Sequence, residues 1–171
     1  MTKTLIVAEL SANHNGSKRL AIETVRAVAQ TGADAIKLQT YTAETLTLAS
    51  HKEDFRISQG TLWDGRYLYD LYKEAYTPWE WHEELFRIAR EEGLMCFSTP
   101  FDRTAVDFLE PLGNPVYKIA SFEITDIPLI AYAARKMKPM VISTGIATKE
   151  DIRLAVETCR SVGNEDITLL K

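Results

Sequence analysis

Cysteine is scarce: two among 171 residues, too few for the disulfide framework of a small secreted domain. Cys96 falls within an expected strand and Cys159 on the apolar stripe of an expected helix, so both read as small buried hydrophobes rather than a bridge or a metal pair. No apolar run approaches the roughly 20 residues of a membrane helix. Met1-Thr-Lys-Thr leads straight into a strand, leaving no room for a secretory leader. The cytosol is the expected compartment, with no membrane partner. Asn15-Gly16-Ser17 matches a glycosylation sequon, but outside a secretory context the match carries nothing. No segment is low in complexity, and 46% hydrophobic with 26% charged residues excludes a disordered chain. The formal net charge of -4 argues against a nucleic-acid surface. An anionic ligand would therefore be held by a few local lysines.

What is present is an alternation of strand and helix in a single domain. Five expected strands, 5–9, 35–40, 95–99, 116–121 and 140–144, each end in polar side chains at the same end, and Ile167–Leu170 reads as a sixth. The first helix carries Leu20, Thr24, Val25, Val28 and Ala29 as its stripe and stops at Gly32. Another opens at Thr77-Pro78-Trp79-Glu80, with Thr77 as N-cap, Pro78 at the first helical position and Glu80 closing a capping box over the stripe Trp81, Leu85, Ile88 and Ala89. Further helices follow Asp102 and Asp126, and the last opens at Thr148 with Ile152, Ala155, Val156, Cys159 and Val162 on one face. Residues 42–76 are the longest interruption, with short helices expected at 43–48 and 67–76 around a turn at Gly60 to Gly65. A long insertion at the carboxyl end of a strand is expected to be functional, here as a lid.

Six strands with five helical crossovers fit a doubly wound sheet or three quarters of an eight-stranded barrel. The loop after the first strand, Leu10 to Gly16, has one glycine, so the phosphate loop of a dinucleotide fold is missing. The reading is an α/β fold of the (β/α)8 TIM-barrel type.

Side chains alternate along a strand. Ile6, Ala8, Ile36, Leu38, Tyr117 and Ile119 form the apolar set that suits a helix layer, which turns Glu9, Lys37, Gln39 and Lys118 toward the barrel interior. Structural ion pairs would also account for the lysines, as would a phase shifted by one residue. Buried charge adds little stability even when paired, so a functional reason gains weight. Thr99, Ser121 and Ser143 add hydroxyls at neighbouring strand ends. Singly each suits a cap or turn; with two lysines they make a rim fitted to a phosphate and a carboxylate. Glu9 and Glu123 are then the candidates for acid and base work.

Ala8-Glu9-Leu-Ser-Ala-Asn13-His14-Asn15-Gly16, Lys37-Leu-Gln39-Thr40, Ser98-Thr99-Pro100-Phe101, Tyr117-Lys118-Ile-Ala-Ser121-Phe-Glu123 and Ser143-Thr144-Gly145 resemble, in order and spacing, the sialic acid synthase family. Lys52-Glu53-Asp54-Phe55, Leu62-Trp63-Asp64, Leu68-Tyr69 and Trp81-His82 look most like its pseudaminic acid branch. The resemblance implies condensation of phosphoenolpyruvate with an open-chain amino-sugar aldehyde, a 2,4-diacetamido-trideoxy hexose or a related sugar, to give a nonulosonic acid and phosphate. It implies that Lys37, Thr99, Lys118, Ser121 and Ser143 grip phosphoenolpyruvate, that Glu9 contacts the sugar, and that Glu123 handles a proton or orients water. Asn13, His14 and Gln39 are candidate substrate contacts. For His14 a loop-organising hydrogen bond weighs equally, and His82 reads as structural.

The resemblance also implies a divalent metal, manganese or magnesium, held by histidines on the last barrel strands, and an antifreeze-like domain from a dimer partner. Both would follow Lys171. His14, His51 and His82 have no partner at metal-ligand spacing. Residues 1–171 are therefore expected to be the incomplete N-terminal portion of such a barrel, inactive alone and self-associating as a homodimer or larger. Other readings are a different phosphoenolpyruvate-condensing or aldolase-type barrel, or a non-catalytic truncated barrel that binds an anion or a partner.

Overall fold

The structure, a computed structural model, describes residues 4–171. β1 (Val7–Glu9) is followed by α1 (Lys18–Ala29) and β2 (Ala35–Thr40). The insertion then contributes α2 (Ala43–Leu46), a 3-10 turn at Glu53–Phe55 and α3 (Leu68–Ala75). α4 (Trp79–Glu91), β3 (Met95–Pro100), α5 (Arg103–Leu109) and β4 (Tyr117–Ile119) come next. After a 3-10 turn at Ser121–Thr125 the chain continues through α6 (Ile127–Ala134), β5 (Met140–Ser143), α7 (Lys149–Ser161) and β6 (Ile167–Leu170). All six strands are parallel and lie in the order β1-β2-β3-β4-β5-β6. A doubly wound sheet reverses its strand order at a switch point. This sheet never reverses, so it curls as a partial barrel with the helices outside it.

The helix starts follow from their caps. Ser17, Asp102, Asp126 and Thr148 each accept a backbone N–H from the first turn, and Thr148 closes a capping box with Asp151. The expected box at Thr77 does not form. α4 begins at Trp79 with Pro78 as its cap residue and no side-chain cap bond. The reason is competition, because the Thr77 hydroxyl is buried against His14 Nε2 at 3.2 Å.

Two strands are shorter than expected by more than one residue. β1 pairs only from Val7, while Ile6 is held by Asp34, whose Oδ2 accepts the Ile6 N–H at 2.9 Å. β4 stops at Ile119, so Ser121 and Glu123 ride on the 3-10 turn rather than on the strand. In α1 the buried centre is Val25, a member of the expected stripe, with Ala21, which was not.

The core lies between the sheet's outer face and the helices. Ile36, Leu38, Tyr117, Ile119, Met140 and Ile142 pack there against Leu85, Ile88, Leu109, Ile130 and Ala155, all buried. Each such large apolar side chain contributes about 1.5–3 kcal/mol by leaving water. Cys96 and Cys159 are free thiols in this layer, pushed up by burial to about 12 and about 11. No helix among the described residues is long and apolar enough to cross a membrane.

Candidate active site

With the apolar set packed under the helices, strand alternation turns the polar set inward. Register places Glu9 beside Lys37, Gln39 beside Thr99, and Lys118 beside Val141, two residues before Ser143. The shifted phase is thereby excluded.

Two cations are nearly removed from solvent here: Lys37 is 7% exposed and Lys118 6%. Lys37 Nζ lies 3.0 Å from Glu9 Oε1, on a carboxylate whose side chain is 56% exposed. Lys118 Nζ donates to Ile119 O at 2.8 Å, which occupies one of its three N–H donors. Burial, and after it the neighbouring Lys37 charge, lowers the Lys118 ammonium to about 8 against the pull of Glu9 and Glu123. Glu123 is displaced the other way. Burial lifts its carboxyl above the usual range, opposed by its own backbone amide and by Lys118. The rim thus sets two lysines against two carboxylates, a balance the lysines alone do not suggest. Charge buried this deeply has to be compensated.

Thr99 Oγ1 and Glu123 Oε2 are buried with no hydrogen-bond partner. An unmet buried polar atom costs about 1–3 kcal/mol, so such atoms at neighbouring strand ends ask for an explanation. The outer face shows the contrast. There Thr40 Oγ1 bonds Ser98 Oγ at 2.7 Å and His82 Nε2 at 2.9 Å, while His82 Nδ1 lies 3.3 Å from Pro78 O. That network is closed; the inner face is open to a ligand.

The loops that follow β4 and β5 approach one another closely. A Cβ placed on Gly145 would lie 3.6 Å from Cβ and Oγ of Ser121, which sets the turn after β4 against the segment that follows Ser143. Gln39 is half-buried beside Thr99. Asn13 is exposed and donates through Nδ2 to Leu10 O at 2.9 Å. His14 is fully buried and has both ring nitrogens engaged: Nδ1 accepts from Gly16 N at 3.1 Å, and Nε2 faces Thr77. With left-handed backbone at Ser11, Asn15 and Gly16 on either side, His14 pins a sharply bent loop and has no ring nitrogen left for a substrate. His82, buried and lowered to about 4, belongs to the outer network.

No group of three or more His, Cys, Asp or Glu among the described residues is placed to hold a metal ion. His51 instead pairs with Asp70 in the insertion at 3.0 Å. The donor set in these residues does not fit the implied divalent metal.

One group escapes sequence reasoning. Tyr41, Tyr72 and Phe101 form an edge-to-face aromatic cluster at the ends of β2 and β3. Tyr41 and Phe101 had a signal, since they lie one and two residues past expected strand ends. Tyr72 had none, because only folding of the insertion brings it there.

A family model described as the NeuB family matches residues 24–171. The chain is 56% identical over 166 residues to a pseudaminic acid synthase of Helicobacter pylori, covering 97% of this chain and 48% of that protein. It is 48% identical over 169 residues to a pseudaminic acid synthase of Campylobacter jejuni, covering 99% and 49%. A crystal structure of N-acetylneuraminic acid synthetase from Leptospira borgpetersenii, in complex with citrate, superposes with a TM-score of 0.83 at 26% identity, covering 98% of this chain and 53% of that one. The chain spans about half the length of the curated relatives it matches. Strand order, inward lysines and a match over most of its length lead to one assignment: the chain belongs to the NeuB family.

Proposed function

We propose that the complete protein joins phosphoenolpyruvate to an open-chain 2,4-diacetamido-trideoxy hexose, giving a nonulosonic acid of the pseudaminic type and phosphate. The observation that carries this reading is the pair of nearly buried lysines, Lys37 and Lys118, facing the unpartnered Thr99 hydroxyl on one strand-end rim. Relatives named pseudaminic acid synthase, at 48% and 56% identity, support the choice of product.

In this reading Lys37, Lys118 and the hydroxyls of Thr99, Ser121 and Ser143 hold the phosphate and carboxylate through charge-assisted hydrogen bonds. Bound anion would relieve both the Lys118 burial cost and the orphaned Thr99 oxygen. The methylene carbon of phosphoenolpyruvate bonds to the aldehyde carbon, and the aldehyde oxygen takes a proton. Water then adds at the phosphate-bearing carbon, which has become electron-poor, and gives up a proton. The C–O bond to the phosphate then breaks, phosphate leaving with the bridging oxygen, and the added hydroxyl passes its proton to the departing phosphate to give the ketone. Glu123, its carboxyl raised by burial and one oxygen left without a partner, suits the water step. Glu9, more exposed and toward the mouth, suits the sugar. Manganese or magnesium finds no fitting donor set among the described residues. Buried, unpaired thiols suit the expected cytosolic setting.

The test uses the complete protein with phosphoenolpyruvate carrying oxygen-18 in its bridging position. The expected result is release of phosphate that carries the label. Unlabelled phosphate, or no sugar-dependent phosphate at all, would overturn the reading.

A further inference from the structure

The insertion between β2 and α4 is braced against the rim. Tyr69 on α3 donates to Glu44 on α2 at 2.6 Å, and Arg66 reaches Glu74 at 2.5 Å. One turn along α3 from Tyr69, the Tyr72 ring meets the Tyr41 ring edge-to-face, with centroids 6.0 Å apart; Tyr41 meets Phe101 in the same way at 5.4 Å. Trp79 Nε1 donates to Tyr41 O at 3.1 Å and fixes the central ring's backbone. Tyr41 and Phe101 each sit two residues beyond an inward side chain, Gln39 and Thr99. The aromatic wall therefore stands directly above the anion-binding layer.

Tyr72 is less enclosed than Tyr41: its ring is half-buried where Tyr41 is 5% exposed. After burial, the nearby Glu123 carboxylate is the next cause that raises this phenol above its ordinary range. Glu123 for its part has a buried oxygen without a partner. The Tyr72 phenol and the Glu123 carboxyl thus lie within electrostatic reach of one another.

Phosphoenolpyruvate is small and anionic and gains nothing from an aromatic wall. An acetamido deoxy sugar is the opposite kind of molecule: methyl groups to pack on rings, and amide and hydroxyl groups that need scattered polar partners. Resting on the function proposed above, we infer that Tyr72 determines specificity for the sugar, its ring packing the deoxy methyl edge and its hydroxyl bonding the sugar across from Glu123. The insertion thus serves as a wall of the sugar site.

The experiment is steady-state kinetics of the complete protein and its Tyr72→Phe and Tyr72→Ala variants, with the deoxy sugar, its hydroxylated analogue, and phosphoenolpyruvate varied separately. Tyr72→Ala is expected to raise KM for the sugar about tenfold or more and to cut the preference for the deoxy sugar by a similar factor. Tyr72→Phe is expected to raise sugar KM by a smaller factor and to keep the preference, since it retains the ring. Phosphoenolpyruvate binding, read by calorimetry, should stay the same in both. If Tyr72→Ala melts lower than the parent, Tyr72→Phe alone decides through its sugar KM. Unchanged sugar KM in an active protein, or equal loss for both substrates, overturns the role of Tyr72 and leaves the proposed reaction standing. A complete parent protein without sugar-dependent phosphate release removes the reaction, and this inference with it.

Discussion

Lys118 sits at about 8 because burial and Lys37 both disfavour its charge. An anionic ligand needs the charged form, so affinity for phosphoenolpyruvate should fall as pH rises through about 8, and ligand binding should itself draw a proton onto this amine. Calorimetry in two buffers of different ionisation enthalpy reads that proton directly. Lys118→Met keeps the stem and removes the charge; it should weaken binding by about 1.5–3 kcal/mol and abolish the alkaline limb. Unaltered affinity in that variant would take Lys118 out of the site. Glu123 makes the complementary case. Its carboxyl is raised by burial, and Glu123→Gln keeps shape while removing the base, so turnover should drop by about two to four orders of magnitude with little change in binding. Normal turnover at saturating substrate would leave Glu123 a turn residue.

At the scale of elements, the packing of α4 onto β2 and β3 runs through His82. Its ring is buried between Thr40 and Pro78 and lowered to about 4, chiefly by burial. The folded protein therefore holds this ring neutral where the unfolded chain, near 6.5, would already be protonated. The contribution to stability is in full force above pH 6.5 and is lost as pH falls toward 4, a range that spans about 3 kcal/mol. Melting temperature followed from pH 7 to 4 should fall more steeply for the parent than for His82→Gln. Parallel curves would mean that the ring is not held neutral. The contrast with Thr77 belongs at this scale too: cap chemistry at Ser17, Asp102, Asp126 and Thr148 was legible because nothing distant competes for those side chains, whereas His14, 63 residues away, takes the Thr77 hydroxyl.

For the whole molecule the consequence lies at the sheet's ends. Among the described residues β1 and β6 each pair with one strand, and Leu5, Ile6, Leu169 and Leu170 beside those edges are 40–57% exposed. Unpaired strand edges flanked by apolar side chains recruit further strands. We propose that residues 1–171 expressed alone self-associate and do not turn over. Light scattering together with a phosphate-release assay checks both parts, and a homogeneous 19.3 kDa monomer with turnover would refute them.

The order of strands and helices, the inward phase of Glu9, Lys37 and Lys118, and the burial of both cysteines were determined by the sequence itself. Alternation and helical periodicity are local properties, set by which side of a strand or helix each residue occupies. Family resemblance then lay in short strings at strand ends, where the chain's chemistry is concentrated. The sequence favoured a barrel over a doubly wound sheet through its missing glycine-rich loop, and tertiary structure settled it, because sequential strand order is a pairing between segments up to 60 residues apart. It also decided that His14 pins a loop, that burial and Lys37 depress Lys118, and that Tyr72 comes within electrostatic reach of Glu123. Each of these depends on distance through space between residues remote in sequence, and burial and Coulomb interaction act on that distance alone.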